Sequence, residues 1–169
     1  MSEVALNNSM SKSEKKTFSV LLSSIFYNFE VGDEDENANA LELAIGMLLL
    51  CKGDKSSKLN YAWQVIDMDN DDGYLNRAEL LFFLRAFIRM LVALSYEAST
   101  KLTVQETKRY ATDMASWLSS TVMAKYSELD GTDGLVSFDS FANWWLDGGS
   151  EVAPWLELLD LSKWVLPLE

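Results

Sequence analysis

A dense acidic segment in the middle of the chain restricts the possible folds more than any other feature. Four aspartates lie within the six residues from Asp67 to Asp72, and Gly73 follows them. Neighbouring carboxylates repel one another unless a cation neutralises them, whereas an ordinary turn needs only one Asp or Asn and a glycine. Calcium takes about six to eight oxygen ligands at loose geometry, which alternating carboxylates on a tight loop can supply. The segment therefore predicts a calcium-binding loop between two helices.

The residues after the glycine complete this loop. We expect Leu75 to pair in a short strand with a neighbouring loop, and Glu79, at the start of the next helix, to supply two oxygens at once. The predicted metal ligands are Asp67, Asp69, Asp71 or Asp72, the Tyr74 carbonyl, Asn76 through a water molecule, and Glu79.

The loop contains one residue more than the usual spacing. The glycine normally follows the first ligand by about five positions, but Asp67 and Gly73 are six positions apart. Counting forward from the preceding helix makes Asp67 the first ligand, whereas counting back from Gly73 and Glu79 selects Met68, which cannot coordinate calcium. We interpret the segment as a 13-residue loop from Asp67 to Glu79. The alternatives are a loop of weakened affinity and an acidic turn that binds no metal.

The remainder of the chain predicts helices. Glycine and proline are scarce, with 8 and 2 residues, and long segments of apolar periodicity alternate with short polar ones. Asn76 with Glu79, and Thr103 with Glu106, have the spacing of helix-capping pairs. We expect little β-structure and helices at about 13–29, 40–52, 57–67, 77–95, 104–127, 138–147 and 153–165.

Three segments resemble a known family. Residues 58–67 and 73–80 look like the third EF-hand of calcineurin-B-like and neuronal-calcium-sensor-like proteins, and residues 41–53 are similar to the exit helix and linker of their second hand. A fourth hand is suggested by Tyr126, Asp130, Asp133, Gly134, Val136, Phe138 and Phe141.

This resemblance implies an all-α EF-hand helix-loop-helix array in a divergent chain whose first hand is missing. It would comprise about three hands, one of them well formed, and a C-terminal amphipathic helix. The expected divisions are a flexible tail at 1–12, a degenerate EF-hand at 13–53, the hand with the calcium loop at 54–95, a second degenerate hand at 96–148, and the C-terminal helix and tail at 149–169.

The two flanking loops depart from the calcium-binding pattern. The fourth-hand loop has Leu129 at its first ligand position and Ser140 where the bidentate glutamate belongs. The acidic run 33–37 lacks the turning glycine, although Glu42 can be aligned as a bidentate ligand. We expect both loops to bind no calcium.

Several apolar segments need a partner surface. Residues 80–91 are apolar nearly all round, which predicts either a groove for an amphipathic target helix or a helix buried between two lobes. The segment 154–165 predicts an amphipathic helix, and self-packing is favoured because exposed Trp155 and Trp164 would form a costly apolar patch. The stripe of Tyr110, Met114, Trp117, Leu118, Val122 and Tyr126 is predicted to be core, as are Trp144 and Trp145.

The charge balance and the cysteine count indicate where such a protein acts. With 14 basic and 26 acidic residues, the chain should repel nucleic acid and anionic membranes and favour cations or basic partner segments. The run 80–94 is too short and too interrupted by arginine for an integral membrane segment, which needs about 20 apolar residues. The single cysteine, Cys51, is predicted to be a buried thiol in a reducing compartment. Without a recognisable signal peptide, the expected location is cytoplasmic.

These observations favour a calcium sensor or regulatory subunit that binds a target protein, through an apolar groove, by an amphipathic helix of the target. The alternative is a constitutive structural or scaffold subunit with little or no calcium switching. An enzyme is not expected, because the chain contains no histidine for nucleophile activation and no phosphate-binding glycine loop. The oligomeric state is left open.

Overall fold

The computed structural model describes residues 11–30, 38–67, 72–95, 101–126 and 134–160 of the chain. These ranges are mostly helical, with a single pair of short strands among them. The elements are α1 (Lys12–Phe29), α2 (Ala40–Met47), a 3₁₀ turn (Leu48–Leu50), α3 (Lys55–Ile66), β1 (Tyr74–Asn76), α4 (Arg77–Leu94), α5 (Val104–Tyr126), β2 (Leu135–Ser137), α6 (Phe138–Trp144), a π-helical turn (Trp145–Gly149), α7 (Ser150–Val152) and a second 3₁₀ turn (Pro154–Leu159).

Side-chain caps set where the helices begin. The Asn76 side chain accepts the Glu79 backbone N–H at 3.1 Å, and the Glu79 carboxylate accepts the Asn76 N–H at 2.8 Å. Thr103 and Glu106 make the corresponding pair of bonds at 3.2 and 2.9 Å. Both predicted capping pairs are therefore confirmed. They satisfy backbone donors that a helix start would otherwise leave without a partner.

A two-stranded antiparallel sheet joins the loop before α4 to the loop before α6. Leu75 lies opposite Val136, and both side chains are fully buried. This confirms the prediction that Leu75 pairs in a short strand with a neighbouring loop. The pairing ties the second helix-loop-helix (α3 and α4) to the third (α5 and α6).

Helix α4 is the central element of the core. It contacts α1, α2, α3 and α5, which together leave it no wide solvent face. Burial within the chain thus explains why α4 is apolar nearly all round. Of the two interpretations of residues 80–91, the structure supports the helix buried between other elements and not the wall of an open groove. Its buried residues are Leu80, Phe83, Leu84, Ala86, Phe87, Ile88, Arg89, Met90 and Ala93.

The predicted core stripe of α5 was wrong in its first half. Leu118, Val122 and Tyr126 are buried, but Tyr110, Met114 and Trp117 are exposed, Trp117 by 57%. In this half of the helix the buried positions carry small side chains, among them Ala111 and Ala115. The periodicity predicted that the face with large apolar residues is buried. In the structure the neighbouring face, which carries small residues, is the buried one.

The prediction of a buried Cys51 was also wrong. Helix α2 ends at Met47 instead of continuing to residue 52, and the 3₁₀ turn Leu48–Leu50 follows it. Cys51 is exposed just beyond this turn, with its thiol 3.5 Å from the Met47 carbonyl oxygen. The tighter 3₁₀ geometry shifts each following side chain around the helix axis, so the α-helical periodicity does not extend to this residue.

The C-terminal segment packs on its own chain in its described part. Leu156 and Leu159 are fully buried, and Lys58 Nζ donates to the Leu159 carbonyl at 2.6 Å. Lys55 forms an ion pair with Glu157. The predicted α-helix at 153–165 is instead a 3₁₀ turn over Pro154–Leu159, and Trp164 lies outside the described residues. The predicted self-packing is confirmed for Leu156 and Leu159.

The remaining aromatic predictions divide by burial. Trp144 is buried as expected, and Trp145 packs against the core while partly exposed.

In the described ranges, no helix combines the length and apolar character needed to cross a bilayer.

The contact between α2 and α4 depends on a glycine. A Cβ added to Gly46 would lie 2.9 Å from Phe29 Cζ and 3.0 Å from the Ala86 carbonyl oxygen. We expect Gly46→Ala to reduce the free energy of unfolding by about 1–3 kcal/mol, because the helices must separate to admit the methyl group. Urea unfolding followed by far-UV circular dichroism measures this. Lys16→Ala, on the exposed side of α1, is the control and should change stability by less than ~0.5 kcal/mol.

Candidate metal-binding loop

Asp67 occupies the end of α3, where its backbone N–H donates to the Trp63 carbonyl. The side chain is buried, and its Oδ2 accepts the Gly73 N–H at 2.8 Å. Its Oδ1 is also buried and has no hydrogen-bond partner among the described residues. A buried carboxylate oxygen without a partner is costly, and a bound cation is one way to compensate it.

The second half of the loop is regular. Gly73 has φ of +82°, which a residue with a side chain adopts only at a cost, and Asp72 Oδ1 accepts the Tyr74 N–H at 2.9 Å. The chain then enters β1, and Asn76 caps α4. Glu79 is half-buried at the third position of this helix, with its carboxylate on the Asn76 N–H.

The structure describes five of the seven predicted ligand residues: Asp67, Asp72, Tyr74, Asn76 and Glu79. Asp69 and Asp71 fall within residues 68–71, outside the described ranges. Within those ranges, no three acidic or cysteine side chains converge as a metal cluster. The Asn76 side chain is bonded to the backbone of α4, and Asp72 is exposed. In this structure Asn76 and Glu79 are thus both engaged in capping α4.

The third helix-loop-helix locates the extra residue. Gly134 also has a positive φ, of +78°, and it is followed by β2, by the capping residue Ser137 and by Ser140. From glycine to the third helical residue there are six positions in both loops, and Tyr74 pairs with Ser137 across the sheet. The exit halves of the two loops thus match. The additional residue must lie between Asp67 and Gly73.

The two flanking loops differ in chemistry from this one. Ser140 occupies the place that corresponds to Glu79, so a carboxylate is missing there; Leu129, Asp130 and Asp133 lie outside the described residues. In the first helix-loop-helix (α1 and α2), Glu30 and Ala38 form an isolated antiparallel bridge that closes the loop.

Glu42 of the first helix-loop-helix is engaged by arginines. Its side chain is 1% exposed, and the Arg85 and Arg89 guanidinium groups approach it to 2.7 and 3.0 Å. The alignment of Glu42 as a calcium ligand therefore does not describe this structure. In the sequence the two arginines interrupt an apolar run, and their pairing with Glu42 was not predicted. Their spacing of four positions, which places both on one helix face, was the available signal.

The environment of Arg89 is unusual for a charged residue. Burial lowers the pKa of its guanidinium from the ordinary value, the Glu42 carboxylate opposes this effect, and the charge of Arg85 adds to it. Arginine nevertheless stays protonated at neutral pH. A permanent positive charge is thus held inside the fold beside Glu42.

An aromatic cluster packs next to the acidic loop. The Trp63 ring lies 5.4, 5.5 and 5.6 Å from those of Phe83, Phe138 and Phe141, and its indole N–H donates to the Gly73 carbonyl at 3.2 Å. The contacts with Phe83 and Phe138 are edge-to-face, a favourable arrangement at such distances. Trp63 therefore connects the turn of the loop directly to the core.

Apolar grooves open at the surface of the described part of the chain. One, of about 460 Å³, lies beside α1 and α2 and is lined by Leu22, Ser23, Ile25, Phe26, Tyr27, Leu43 and Met47. Another, of about 280 Å³, lies beside α3 and α6. Phe26, Tyr27 and Met47 are each exposed by 39% or more. Exposed apolar side chains in such a group are typical of a binding surface.

The structure defines the class of the protein. Its described residues are mostly helical, and the acidic loop Asp67–Glu79 lies next to a short sheet. The chain is similar to a recoverin family protein of Dictyostelium discoideum, with 29% identity over 111 residues. The match covers 64% of this chain and 48% of the relative, so the chain spans about half the length of that protein. No protein-family model matches the chain, and no solved structure does.

The link between Trp63 and the loop can be tested by substitution. Trp63→Phe removes the indole donor to the Gly73 carbonyl and part of a fully packed ring, so we expect a loss of about 2 kcal/mol in stability. Equilibrium urea unfolding gives the value. Trp117→Phe is the matched control, since that ring is 57% exposed, and it should leave the unfolding midpoint nearly unchanged. Equal effects of the two variants would contradict the assigned role of Trp63.

Proposed function

We propose that the chain is an EF-hand calcium-binding protein of the sensor or regulatory-subunit type, with one calcium loop at Asp67–Glu79. The observation that carries this proposal is the buried Oδ1 of Asp67 beside the turn at Gly73, which has no hydrogen-bond partner among the described residues. A bound cation would compensate the cost of burying this carboxylate oxygen. The similarity to a recoverin family protein supports the same proposal, together with the resemblance of residues 58–67 and 73–80 to an EF-hand of neuronal-calcium-sensor-like proteins.

The proposed ligand set combines fixed and movable groups. Asp67 is held in place by the Gly73 N–H, and the Tyr74 carbonyl belongs to the paired strand. Asp69, Asp71 or Asp72 and a water on Asn76 add further oxygens. Glu79 closes the site after its carboxylate releases the Asn76 N–H. The extra residue before Gly73 lengthens the entering half of the loop, which calcium tolerates because its coordination geometry is flexible.

The other divisions of the chain are part of the same proposal. The segments 13–53 and 96–148 are degenerate hands that flank the calcium hand at 54–95, and neither binds the ion. Tail 1–12 and C-terminal region 149–169 lie outside the hands. We propose a cytoplasmic binding protein without enzymatic activity.

The groove beside α1 and α2 is the proposed surface for a target protein. Its lining is apolar and includes the flexible side chain of Met47, which adapts to different partners. An amphipathic helix fits such a groove with residues three and four positions apart. Because the chain has a net charge of −12, a target helix with basic residues on its polar face is favoured.

Calcium would act on this surface through α4. The loop ends at the first turn of α4, and α4 packs on both α1 and α2. A change in the angle between α3 and α4 would therefore reach the groove. Calcium can shift this equilibrium only by binding one arrangement more tightly than the other.

The second candidate function is a constitutive scaffold. It is favoured by the extensive burial of α4, because a helix packed on four others resists reorientation. In that case calcium would stabilise the fold without exposing apolar surface. Binding of an apolar fluorescent dye, with calcium and with chelator, separates the two functions: an increase in calcium supports the sensor, and equal dye binding supports the scaffold.

Calcium titration by calorimetry tests the proposal directly. We expect one equivalent to bind to the wild-type protein, and Trp63 emission to change because its indole contacts the loop. Glu79→Gln removes a charged bidentate ligand but keeps a capping side chain, so calcium affinity should fall at least ~10-fold, or about 1.4 kcal/mol.

The matched control is Asp139→Asn, an equally small change in the first turn of α6. Its calcium affinity should equal that of the wild type. No heat of binding at millimolar calcium, or an unchanged affinity in Glu79→Gln, would show that this loop does not bind the ion.

A further inference from the structure

Glu42 and Glu79 occupy equivalent places in two consecutive helix-loop-helix units. Each follows an asparagine by three positions, and each asparagine caps the second helix of its unit. The Asn39 side chain accepts the Glu42 N–H at 2.9 Å, and the Asn76 side chain accepts the Glu79 N–H at 3.1 Å. The backbone therefore presents both carboxylates in the same manner.

The two carboxylates nevertheless have different partners. Glu79 is half-buried and accepts the backbone N–H of its own cap. Glu42 is almost fully buried, and its Oε1 accepts from Arg85 Nε at 2.7 Å. Its Oε2 accepts from Arg89 Nη1 at 3.0 Å and from Arg85 Nη2 at 3.3 Å. A fork of guanidinium nitrogens thus surrounds the Glu42 carboxylate.

We propose that Arg85 and Arg89 take the place of a metal ion at Glu42 in the first helix-loop-helix, so that α2 packs against the core without a divalent cation. A carboxylate with no counter-charge cannot be buried at acceptable cost, and two guanidinium groups supply that charge permanently. A metal ion would have to displace them and leave their charges buried without a partner. The further statement that calcium is confined to the second unit rests on the proposed function.

Both arginines belong to α4, which gives the ion pair a second consequence. Glu42 lies on α2, so the pair fixes α2 to the exit helix of the calcium loop. The close contact of Gly46 with the Ala86 carbonyl lies on the same pair of helices. Helices α2 and α4 are therefore held together by both an ion pair and a close backbone contact.

The equivalence of the two glutamates provides the experiment. Glu42→Gln and Glu79→Gln are the same isosteric change at the same helix position, and each is examined by thermal unfolding in chelator and by calorimetric calcium titration. For Glu42→Gln we expect the melting temperature in chelator to fall by about 6–20 °C, because the buried Arg89 and the partly buried Arg85 lose their counter-charge. Its calcium stoichiometry and affinity should equal those of the wild type.

Glu79→Gln should give the opposite pattern. Its melting temperature in chelator should stay within about 2 °C of the wild type, since glutamine retains the capping bond, while its calcium affinity falls. The proposal is overturned if Glu42→Gln melts like the wild type in chelator, or if it loses one equivalent of bound calcium. Absence of calcium binding by the wild type would refute the proposed function alone, because the melting temperatures in chelator still decide the role of the arginines.

A triple variant covers the case in which Glu42→Gln does not fold. Replacing Glu42→Met, Arg85→Met and Arg89→Met together exchanges the ion pair for apolar side chains of similar volume, an exchange that proteins often tolerate. We expect this variant to fold without calcium, to melt within about 5 °C of the wild type and to bind calcium with unchanged stoichiometry. A requirement for calcium in order to fold, or a lost equivalent of calcium, would contradict the proposal.

Discussion

The burial of α4 on all sides is the constraint on which the rest of the structure depends. Four other helices pack on this one. The interface with α2 is close because Gly46 lacks a side chain, and it also holds the ion pair of Glu42 with Arg85 and Arg89. The first turn of α4 is therefore joined directly to the core.

That first turn is also the exit of the acidic loop, so the candidate site and the core share one element. Asp67 is anchored by the Gly73 N–H at one end of the loop, and Glu79 belongs to the capping pair of α4 at the other. Trp63 lies between them, with its ring in the aromatic cluster and its N–H on Gly73. The bonds of Asp67 and Glu79 thus hold the loop itself in shape, and Trp63 connects it to the core.

Features that depend on neighbouring residues were predictable, and those that depend on distant ones were not. The capping pairs at Asn76 and Thr103 and the strand at Leu75 follow from local hydrogen bonding and from the position of a glycine. The exposed Trp117 and Cys51 contradicted the prediction, because helix faces and helix ends were decided by packing against other elements. The ion pairs of Glu42 depend on arginines more than 40 positions away in the sequence.

The sequence by itself determined that the chain is mostly helical, where its capped helices begin, and that one acidic loop is the candidate metal site. Residue spacing and local hydrogen bonds suffice for these features, since each involves only a few successive residues. Only the tertiary structure decided that α4 is the core, that α5 buries a face of small residues, and that Arg85 and Arg89 neutralise Glu42. These outcomes depend on which surfaces meet, because burial and charge pairing are properties of elements brought together from distant parts of the chain.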